Sequence, residues 1–302
     1  MPKSIKNIRK EFKESGIFYT PPALAEALKK YVDFAPRDVY DPTCGQGNLL
    51  AAFGDDIPKY GQELFAADLN VALERLPNFT GYFGDTLADD FFKGSEFHCI
   101  VANPPFSVKW TPNADDPRFA AAPCLPPPSK ADYAFLLHIL HHLAPDGKAV
   151  CLGFPGILYR GQREYKIRRW MIERNYIERV VHIPSNTFED TGIATCILVL
   201  SKHKNTTDII FEDCELQQER TVPLSEICDN DYNLSVSAYI RREIEREFVD
   251  IKAVNEAARA AFLQHIRASL SHELTVCAMT GDSITQLLNE IEKLTAEFRR
   301  HT

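Results

Sequence analysis

Strand-like and helix-like segments alternate through the first two thirds of the chain, and this alternation limits the possible folds more than any other feature. Compact apolar runs at 97–102 and 149–154 predict buried strands. Helical spacing over 23–32 and 131–143, and a basic segment at 162–173, predict helices between the strands. Strands that alternate with helices form βαβ units, so the sequence predicts an α/β fold on a mostly parallel, Rossmann-like sheet.

Shorter segments complete the predicted order of elements. A helix is expected to open over 48–53, a turn over 144–147, and two late strands over 177–183 and 193–200. Because little chain separates the late strands, they are expected to form an antiparallel hairpin at the edge of the sheet. The segment 110–130 is rich in proline, alanine and aspartate, which indicates a long functional or mobile loop.

The sequence pattern changes near residue 241, from alternating strands and helices to long helices. Residues 1–240 carry the alternating elements and are predicted to form the catalytic domain. Residues 241–302 are predicted to form a helical tail, because apolar side chains recur at helical spacing over 244–266 and 284–298. Ser283 and Gln286 resemble a capping box at the start of the second run.

Composition excludes several classes of protein. No apolar run approaches the roughly 18 residues of a membrane span, and the basic N-terminus lacks the apolar core of a secretory signal. The eight cysteines are scattered without a Cys-x-x-Cys pair, which argues against a zinc or disulfide framework and favours a reducing, cytoplasmic setting. The net charge of −8 means that any DNA contact should use a local basic face or a partner.

The ten residues DPTCGQGNLL lie where a predicted strand gives way to a helix. Gly45 and Gly47 let the backbone approach a ligand closely, whereas Leu50 stands where a dinucleotide fingerprint requires Gly or Ala. This departure disfavours a pyrophosphate and suits a methionine carboxylate. Glu63 follows at about the distance expected of a ribose-binding acid, with Asp68 as the second candidate. A tight structural turn is the alternative explanation of the glycines.

A second motif, Asn103-Pro104-Pro105-Phe106, directly follows the apolar strand. The N6 nitrogen of adenine is a poor nucleophile because its lone pair is delocalised into the ring. An Asn oxygen and a nearby main-chain carbonyl can accept both amino hydrogens and activate the nitrogen without prior deprotonation. The prolines would hold these acceptors rigid, and the Phe ring offers a stacking surface worth roughly 1–3 kcal/mol. A proline turn after a strand is the alternative.

Two weaker motifs accompany these. Phe18-Tyr19-Thr20-Pro21 precedes the first helix, and Gly84-Asp85 follows a strand-like run. Asp85 is placed to accept a hydrogen bond from the amino group of a bound adenine moiety. Either motif alone is an ordinary loop sequence.

In their order along residues 16–240, these motifs resemble those of the γ-class amino-methyltransferases. They are most similar to the modification subunit of type I restriction–modification systems, which the segment DYNLS at 231–235 also resembles. The resemblance implies a seven-stranded, mostly parallel sheet flanked by helices. It also implies methyl transfer from S-adenosylmethionine to N6 of adenine in double-stranded DNA, a reaction that requires no metal ion.

The resemblance further implies roles for individual residues. The residues of the cofactor site would be Tyr19, Thr20, Pro21, Asp41, Thr43, Gly45, Gly47, Asn48, Glu63, Asp85 and Asn103. Among them, Glu63 would hold the ribose hydroxyls and Asp85 the adenine, while most of the others line the methionine part. The catalytic base pocket would consist of Asn103, Pro104, Pro105 and Phe106.

Departures from the family pattern lead to predictions about partners. Only about 15 residues precede the Phe-Tyr-Thr-Pro motif, where the family carries a long helical domain, and no target-recognition domain is evident after the catalytic region. The chain is therefore expected to be a shortened modification subunit whose C-terminal helices dock onto a separate specificity subunit. A homodimer within a larger complex is a further option.

Two clusters of basic side chains also need interpretation. The predicted DNA contacts are the basic residues near the start of the helix at 162–173, namely Arg160, Arg163, Lys166 and Arg169. A solvated helix face is the alternative. His138, His141 and His142 suggest a metal, but no carboxylate or cysteine stands at a ligand spacing nearby, so no metal site is predicted.

Three other functions stay open. The same chemistry could act on cytosine N4, ribosomal RNA or a protein glutamine. The chain could be a catalytically idle subunit of a DNA-binding or anti-restriction assembly. A nucleotide-binding oxidoreductase is disfavoured by Leu50 and by the Asn-Pro-Pro-Phe motif.

Overall fold

The structure, a computed structural model, describes residues 20–185, 187, 194–241, 250–281 and 283–299. The chain divides into two compact units, Met1–Arg242 and Glu243–Thr302, and each is described separately. The described part of the first unit holds one sheet flanked by helices, and that of the second unit holds two helices.

The bounds of the elements follow the sequence prediction closely in the centre of the first unit. Its strands are β1 (Val39–Asp41), β2 (Lys59–Glu63), β3 (Phe79–Phe83), β4 (Phe97–Ala102), β5 (Leu143–Gly153), β6 (Ile177–Ile183), β7 (Thr195–Ser201), β8 (Ile209–Asp213) and β9 (Gln218–Val222). Its helices are α1 (Pro22–Lys29), α2 (Ala66–Arg75), α3 (Pro117–Ala120), α4 (Asp132–His142), α5 (Gln162–Glu173) and α6 (Leu224–Asp229). Single 3-10 turns lie at Leu50–Ala52, Pro155–Leu158 and Val236–Ala238.

The strands form one sheet in the order β3-β2-β1-β4-β5-β7-β6-β8-β9. The first five strands of this order run parallel, with Tyr40 of β1 opposite Ile100 of β4. Strand β7 runs antiparallel between β5 and β6. This arrangement is the Rossmann-like methyltransferase fold, so the predicted fold class is confirmed.

The sheet differs from the prediction in two details. The described residues form nine strands rather than seven, because β8 and β9 add an antiparallel hairpin beyond β6. Strands β6 and β7 pair antiparallel as predicted, but β7 also pairs with β5 and therefore lies inside the sheet. The edge strand at this end of the sheet is β9, whose exposed residues 218–221 include two charged side chains. Charged side chains on an edge strand oppose pairing with another chain.

Helices cover both faces of the central strands, and the alternation along β4 shows this directly. Ile100 and Ala102 belong to one buried cluster, and Cys99 and Val101 belong to the other. Helix α4 packs on the first face and buries all of its residues except His141. A strand buried on both faces is a continuous apolar run, as 97–102 is. The carboxyl ends of these strands are therefore held by a packed core.

Two short segments differ from the sequence prediction. Residues 48–53 form only the 3-10 turn at Leu50–Ala52, so they provide no regular helix N-terminus beside the glycines. The predicted turn at 144–147 lies within β5. Leu143 pairs with Phe97 and Lys148 pairs with Cys99, so residues 144–147 bulge out of the ladder between them.

The second unit contains α7 (Ile251–Thr280) and α8 (Thr285–Phe298). Asp250 caps the start of α7, where its carboxylate accepts hydrogen bonds from two N–H groups of the first turn, and Gly281, with φ of +79°, caps its end. The Ser283 hydroxyl accepts from the N–H of Thr285, two residues on, and does not form the predicted capping box. In the described ranges, no helix combines the length and apolar character that crossing a membrane requires.

Candidate active site

A cavity of about 390 Å³ opens at the carboxyl ends of the parallel strands. Asp41 and Glu63 end β1 and β2, Asn103 follows β4, and all three side chains lie in its wall. The order of the strands reverses direction between β1 and β4, and α/β proteins bind ligands at such a point. The wall consists of Thr20, Asp41, Pro42, Thr43, Cys44, Gly45, Gln46, Asn48, Leu49, Glu63, Leu64, Phe65, Asp68, Gly84, Asp85, Thr86, Leu87, Asn103, Pro105, Val108, Lys109, Trp110 and Phe135.

Asp41 closes the turn after β1. Its Oδ1 accepts a hydrogen bond from the N–H of Thr43 at 2.9 Å, and only 1% of the residue is exposed. Burial raises the pKa of the Asp41 carboxyl to about 7, and the negative charge of Glu63 acts in the same direction. The wall of the cavity therefore contains a carboxyl that titrates near neutral pH.

A hydrogen bond between Gly45 and Glu63 connects the turn after β1 to the end of β2. The Gly45 N–H donates to Oε2 of Glu63 at 2.8 Å, and the N–H of Phe65 donates to Oε1 at 2.9 Å. Gly45 has φ of +52°, and a Cβ built on it would meet no atom within 4 Å. Burial raises the pKa of the Glu63 carboxyl. The glycine thus presents bare backbone to the cavity, in the left-handed region that side chains rarely adopt.

Gly47 has a different environment from Gly45. A Cβ on Gly47 would come within 2.4 Å of Cδ1 of Leu76, and its φ is +79°. It lies outside the cavity wall, although Asn48 beside it lies inside. Gly47 therefore serves close packing of the turn against α2, which differs from the predicted cofactor contact.

Thr20 connects three predicted motifs. The side-chain Nδ2 of Asn103 donates to Oγ1 of Thr20 at 3.0 Å, and Nδ2 of Asn48 donates to the Thr20 carbonyl at 2.9 Å. Thr20 is buried and lines the cavity, whereas the neighbouring Pro21 is the N-cap residue before α1 and lies outside the wall. Tyr19 falls outside the described residues. The predicted convergence of the motifs around Asn103 is therefore observed for Thr20 and Asn48.

The Asn-Pro-Pro-Phe segment turns away from the sheet after β4. Pro105 lies in the cavity wall, while Pro104 is buried behind it. Phe106 is half-buried and packs against the apolar cluster on the α1 side of the sheet, outside the wall. The next residue, Ser107, has φ of +53°. Its N–H donates to Oδ1 of Asp132 at 3.1 Å, which fixes the end of the segment to α4.

Acidic side chains dominate the charged part of the wall. Asp68 accepts a hydrogen bond from Nε2 of Gln46 at 2.9 Å, and Oδ1 of Asp85 accepts one from the N–H of Leu87 at 2.9 Å. Together with Asp41 and Glu63 they place four carboxyl groups around the cavity, against the single ammonium group of Lys109 in the described wall. This balance suits a ligand with net positive charge.

Sequence reasoning missed the wall formed by Val108, Lys109 and Trp110. Trp110 begins the proline-rich segment that was expected to be a long loop, and Val108 and Lys109 come directly before it. The indole Nε1–H of Trp110 donates to the Pro127 carbonyl at 3.0 Å, and its backbone N–H donates to the Pro128 carbonyl at 3.0 Å. The segment is therefore tied down and contains α3. A tryptophan among prolines is the sequence signal that could have indicated an ordered segment here.

Comparison with known proteins places this chain in a family. The family described as N-6 DNA Methylase matches residues 5–222. The chain belongs to the N-6 DNA methylase family. The MpnII type I restriction enzyme methylase subunit of Mycoplasma pneumoniae is 32% identical, over 81% of this chain and 56% of its own length. The HindI type I methylase subunit of Haemophilus influenzae is 30% identical, over 67% of this chain and 50% of its own length.

A solved structure supports the same membership. The methyltransferase subunit of the type I restriction–modification system of Streptococcus thermophilus aligns with this chain at a TM-score of 0.68. The two are 29% identical, over 74% of this chain and 59% of that one. The chain thus spans about half the length of the curated relatives it matches. The family resemblance predicted from the motifs is confirmed.

Two of the basic residues predicted to contact DNA form ion pairs within the protein. Nη1 of Arg160 lies 3.5 Å from Asp132 and 3.2 Å from Glu164, and 17% of its side chain is exposed. Arg169 pairs with Glu173 at 2.7 Å. A guanidinium that is paired with carboxylates attracts phosphate weakly, so these ion pairs disfavour a DNA contact by Arg160, which stays a prediction.

The other two predicted DNA contacts remain accessible. Arg163 and Lys166 are exposed on α5. Arg163 also lines a groove of about 500 Å³ beside the start of α5, together with Lys130 and Gln162. The lining of this groove holds three basic side chains, Lys130, Arg160 and Arg163, against the acidic side chain of Glu164, so it presents a local basic surface in a chain of net charge −8.

Proposed function

We propose that this N-6 DNA methylase transfers a methyl group from S-adenosylmethionine to N6 of adenine in double-stranded DNA. We further propose that it acts as a type I modification subunit, together with a separate specificity subunit that docks onto the helical tail. The observation that carries the proposal is the cavity, whose wall contains both Asn103 and the turn after β1 with Asp41 and Gly45.

The residues of the cavity fit the proposed cofactor. A volume of about 390 Å³ lies within the roughly 300–1,000 Å³ of small-molecule sites. S-adenosylmethionine has a net positive charge at neutral pH, which matches the acidic wall. Gly45 leaves the space in front of its backbone open, so a ligand can approach the main chain closely. When bound, S-adenosylmethionine supplies an electrophilic methyl group on a sulfonium centre.

We assign residues of the cavity wall to the methionine, ribose and adenine parts of the cofactor. Thr20, Asp41 and Gly45 lie together near the end of β1 and would hold the methionine part. Glu63 at the end of β2 would bind the ribose hydroxyls, since its carboxylate is oriented by two backbone N–H groups. Asp85, in the turn after β3, would accept from the adenine amino group.

Asn103 and its neighbours would receive the target base. Its side-chain amide donates to Thr20, and this bond fixes the plane of the carboxamide. An Asn oxygen and a nearby main-chain carbonyl, held by Pro104 and Pro105, would accept the two amino hydrogens of the base. These acceptors favour the positive charge that develops on the nitrogen in the transition state. Phe106, which is half-buried, would stack on the extruded base.

A methyl-transfer assay tests the proposal. Purified chain is incubated with radiolabelled S-adenosylmethionine and duplex DNA, with and without a specificity-type partner, and the DNA is digested to nucleosides. Label in N6-methyladenine that depends on the partner is the expected result. Asn103→Ala should abolish transfer while cofactor affinity changes less than about threefold. Label in N4-methylcytosine, RNA or protein would contradict the adenine assignment. Intact cofactor binding with no transfer to any acceptor would indicate an idle subunit.

The partner is inferred from charge and from the names of the relatives. A net charge of −8 leaves only a local basic surface for DNA, so a partner would have to supply further phosphate contacts. The relatives in the comparison are named as methylase subunits of type I restriction enzymes, that is, as parts of larger assemblies. Efficient methylation of a defined short sequence by the chain alone would exclude the need for a specificity subunit.

A further inference from the structure

Three potential metal ligands converge at the end of α4, on residues that the catalytic cavity does not use. His141 and His142 end the helix, and Asp90 comes from the connection between β3 and β4. One ligand atom from each lies within 4.8 Å of the other two. The sequence offered no carboxylate near these histidines, but the fold brings one from a segment about fifty residues earlier.

The contact between Asp90 and His142 is close but is not a hydrogen bond. Oδ1 of Asp90 lies 3.2 Å from Nε2 of His142. Both atoms are buried and lack a hydrogen-bond partner in the described part of the chain. Ligand atoms that share a tetrahedral Zn²⁺ at bonds of about 2.0–2.1 Å stand about 3.3 Å apart. The observed separation is therefore that of two ligands on one ion.

The other ring nitrogen of His142 sets its tautomer. Nδ1 lies 2.9 Å from the carbonyl oxygen of Ser95, and a carbonyl can only accept, so Nδ1 carries the hydrogen. Nε2 is then the nitrogen that presents a lone pair toward Asp90. A histidine that ligates a metal commonly donates its second N–H to a backbone carbonyl in this way.

The second oxygen of Asp90 faces a different group. Oδ2 lies 3.9 Å from Nε of Arg118, whose guanidinium pairs with Asp116 at 2.6 Å. Arg118 also donates to the carbonyl oxygens of Thr86 at 2.5 Å and Leu87 at 3.1 Å, two residues of the cavity wall. Asp90 therefore directs one oxygen toward the arginine and keeps Oδ1 toward the histidines.

We propose that Asp90, His141 and His142 bind one divalent transition-metal ion of the zinc class, with water at the remaining position. Two imidazoles and a carboxylate are ligands that Zn²⁺ accepts in tetrahedral geometry. The partly exposed ring of His141 gives the ion a path from solvent. The ion would fasten the connection after β3, which also carries Asp85, to the end of α4. None of its three ligands lines the catalytic cavity, so the ion takes no part in the proposed methyl transfer.

Direct metal binding tests the site in the full chain. The protein is freed of metal with a chelator, dialysed, and titrated with Zn²⁺ by calorimetry and with Co²⁺ by visible absorption. One ion per chain, a tetrahedral cobalt spectrum, and a rise in melting temperature of roughly 5 °C at saturating zinc are expected. Asp90→Asn and His141→Ala should each weaken binding at least about 100-fold. His203→Ala, a change at an exposed histidine elsewhere, is the matched control and should bind like the wild type.

Two results would overturn the site. One is zinc binding that is unchanged in both ligand variants, which would assign the ion to the cysteines or other histidines. The other is an NMR spectrum in which Nε2 of His142 carries a hydrogen both before and after zinc is added, which would make the contact with Asp90 an ion pair. Because the readouts are metal content and melting temperature, the result does not depend on methyl transfer.

Discussion

The backbone N–H of Ser107 donates a hydrogen bond to Oδ1 of Asp132, and Nη2 of Arg160 donates to the Ser107 hydroxyl at 3.1 Å. Nη1 of the same guanidinium lies 3.5 Å from Oδ2 of Asp132, which closes a triangle of contacts among these three residues. The triangle holds the residue after Asn-Pro-Pro-Phe in a left-handed conformation. Its members do not line the cavity in the described structure, so they act by positioning the segment that carries Asn103.

Asp132→Asn should slow methyl transfer without weakening cofactor binding. The variant keeps the size of the side chain but loses the charge that orients Arg160, so the segment after Asn103 loosens. A displacement of about 1 Å at a reacting group can cost about 100-fold in rate, and a loss of 10–100-fold in single-turnover rate is expected. Calorimetry should find the affinity for S-adenosylmethionine within about threefold of wild type.

The control for this prediction is Glu164→Gln. Glu164 is the other carboxylate beside Arg160, at 3.2 Å, but it makes no contact with Ser107 in the described structure. A rate close to wild type is expected for the control. Equal rate losses in both variants would mean that the charge of Arg160, rather than its position on Ser107, matters.

The two glycines of the turn after β1 should respond differently to alanine. Gly45→Ala places a methyl group in the open space of the cavity wall, so cofactor affinity should fall at least about tenfold while the left-handed φ costs roughly 1–2 kcal/mol of stability. Gly47→Ala adds a clash with Leu76 to the same backbone strain, so it should destabilise further by roughly 1–3 kcal/mol. Thermal unfolding and cofactor titration separate the two effects. Similar behaviour of both variants in both assays would contradict the distinction.

Much of the fold was predictable because local patterns and tertiary packing agree in the central strands. The run 97–102 is apolar and bounded by a turn motif, and the structure buries it on both faces. The bulge at 144–147 was not predictable, because the partner strand rather than the local sequence decides where the ladder is interrupted. The interior position of β7 also depends on pairing with β5, which no spacing between β6 and β7 reveals.

The candidate site was predictable where short motifs carry it. Asp41, Glu63, Asp85 and Asn103 follow strands, and the parallel sheet brings those ends together. The sequence did not reveal interactions that depend on contacts between distant segments. Arg160 resembled a free cation in the sequence because Asp132, its partner, belongs to another helix.

Cofactor binding should depend on pH through Asp41. Burial raises the pKa of this carboxyl to about 7, so it is protonated in the free protein below that pH. A cationic ligand favours the ionised form, so binding releases a proton below pH 7. Affinity for S-adenosylmethionine should therefore rise with pH, by roughly 5–10-fold from pH 6 to 8, and then level off.

The raised pKa of Asp41 also makes the stability of the ligand-free protein depend on pH. Between the ordinary Asp value and about 7 the folded state holds a proton that the unfolded state has lost, so this group's contribution to stability falls as pH rises. Asp41→Asn should flatten both pH profiles, as measured by calorimetry and by denaturant unfolding at pH 6, 7 and 8. A wild-type affinity that does not change over this range would contradict the assignment.

DNA binding should depend on the exposed basic residues of α5 rather than on the paired ones. Arg163→Glu combined with Lys166→Glu should weaken binding to a duplex and reduce the slope of log affinity against log salt by roughly 2, about 0.9 for each phosphate contact. The control is Lys93→Glu combined with Arg174→Glu, two exposed cations elsewhere that give the same change in net charge. Because a general charge effect would lower affinity equally in both pairs, only a difference in salt slope supports a local contact. Equal slopes in the two double variants, measured by fluorescence anisotropy over a range of salt, would place the DNA on another surface.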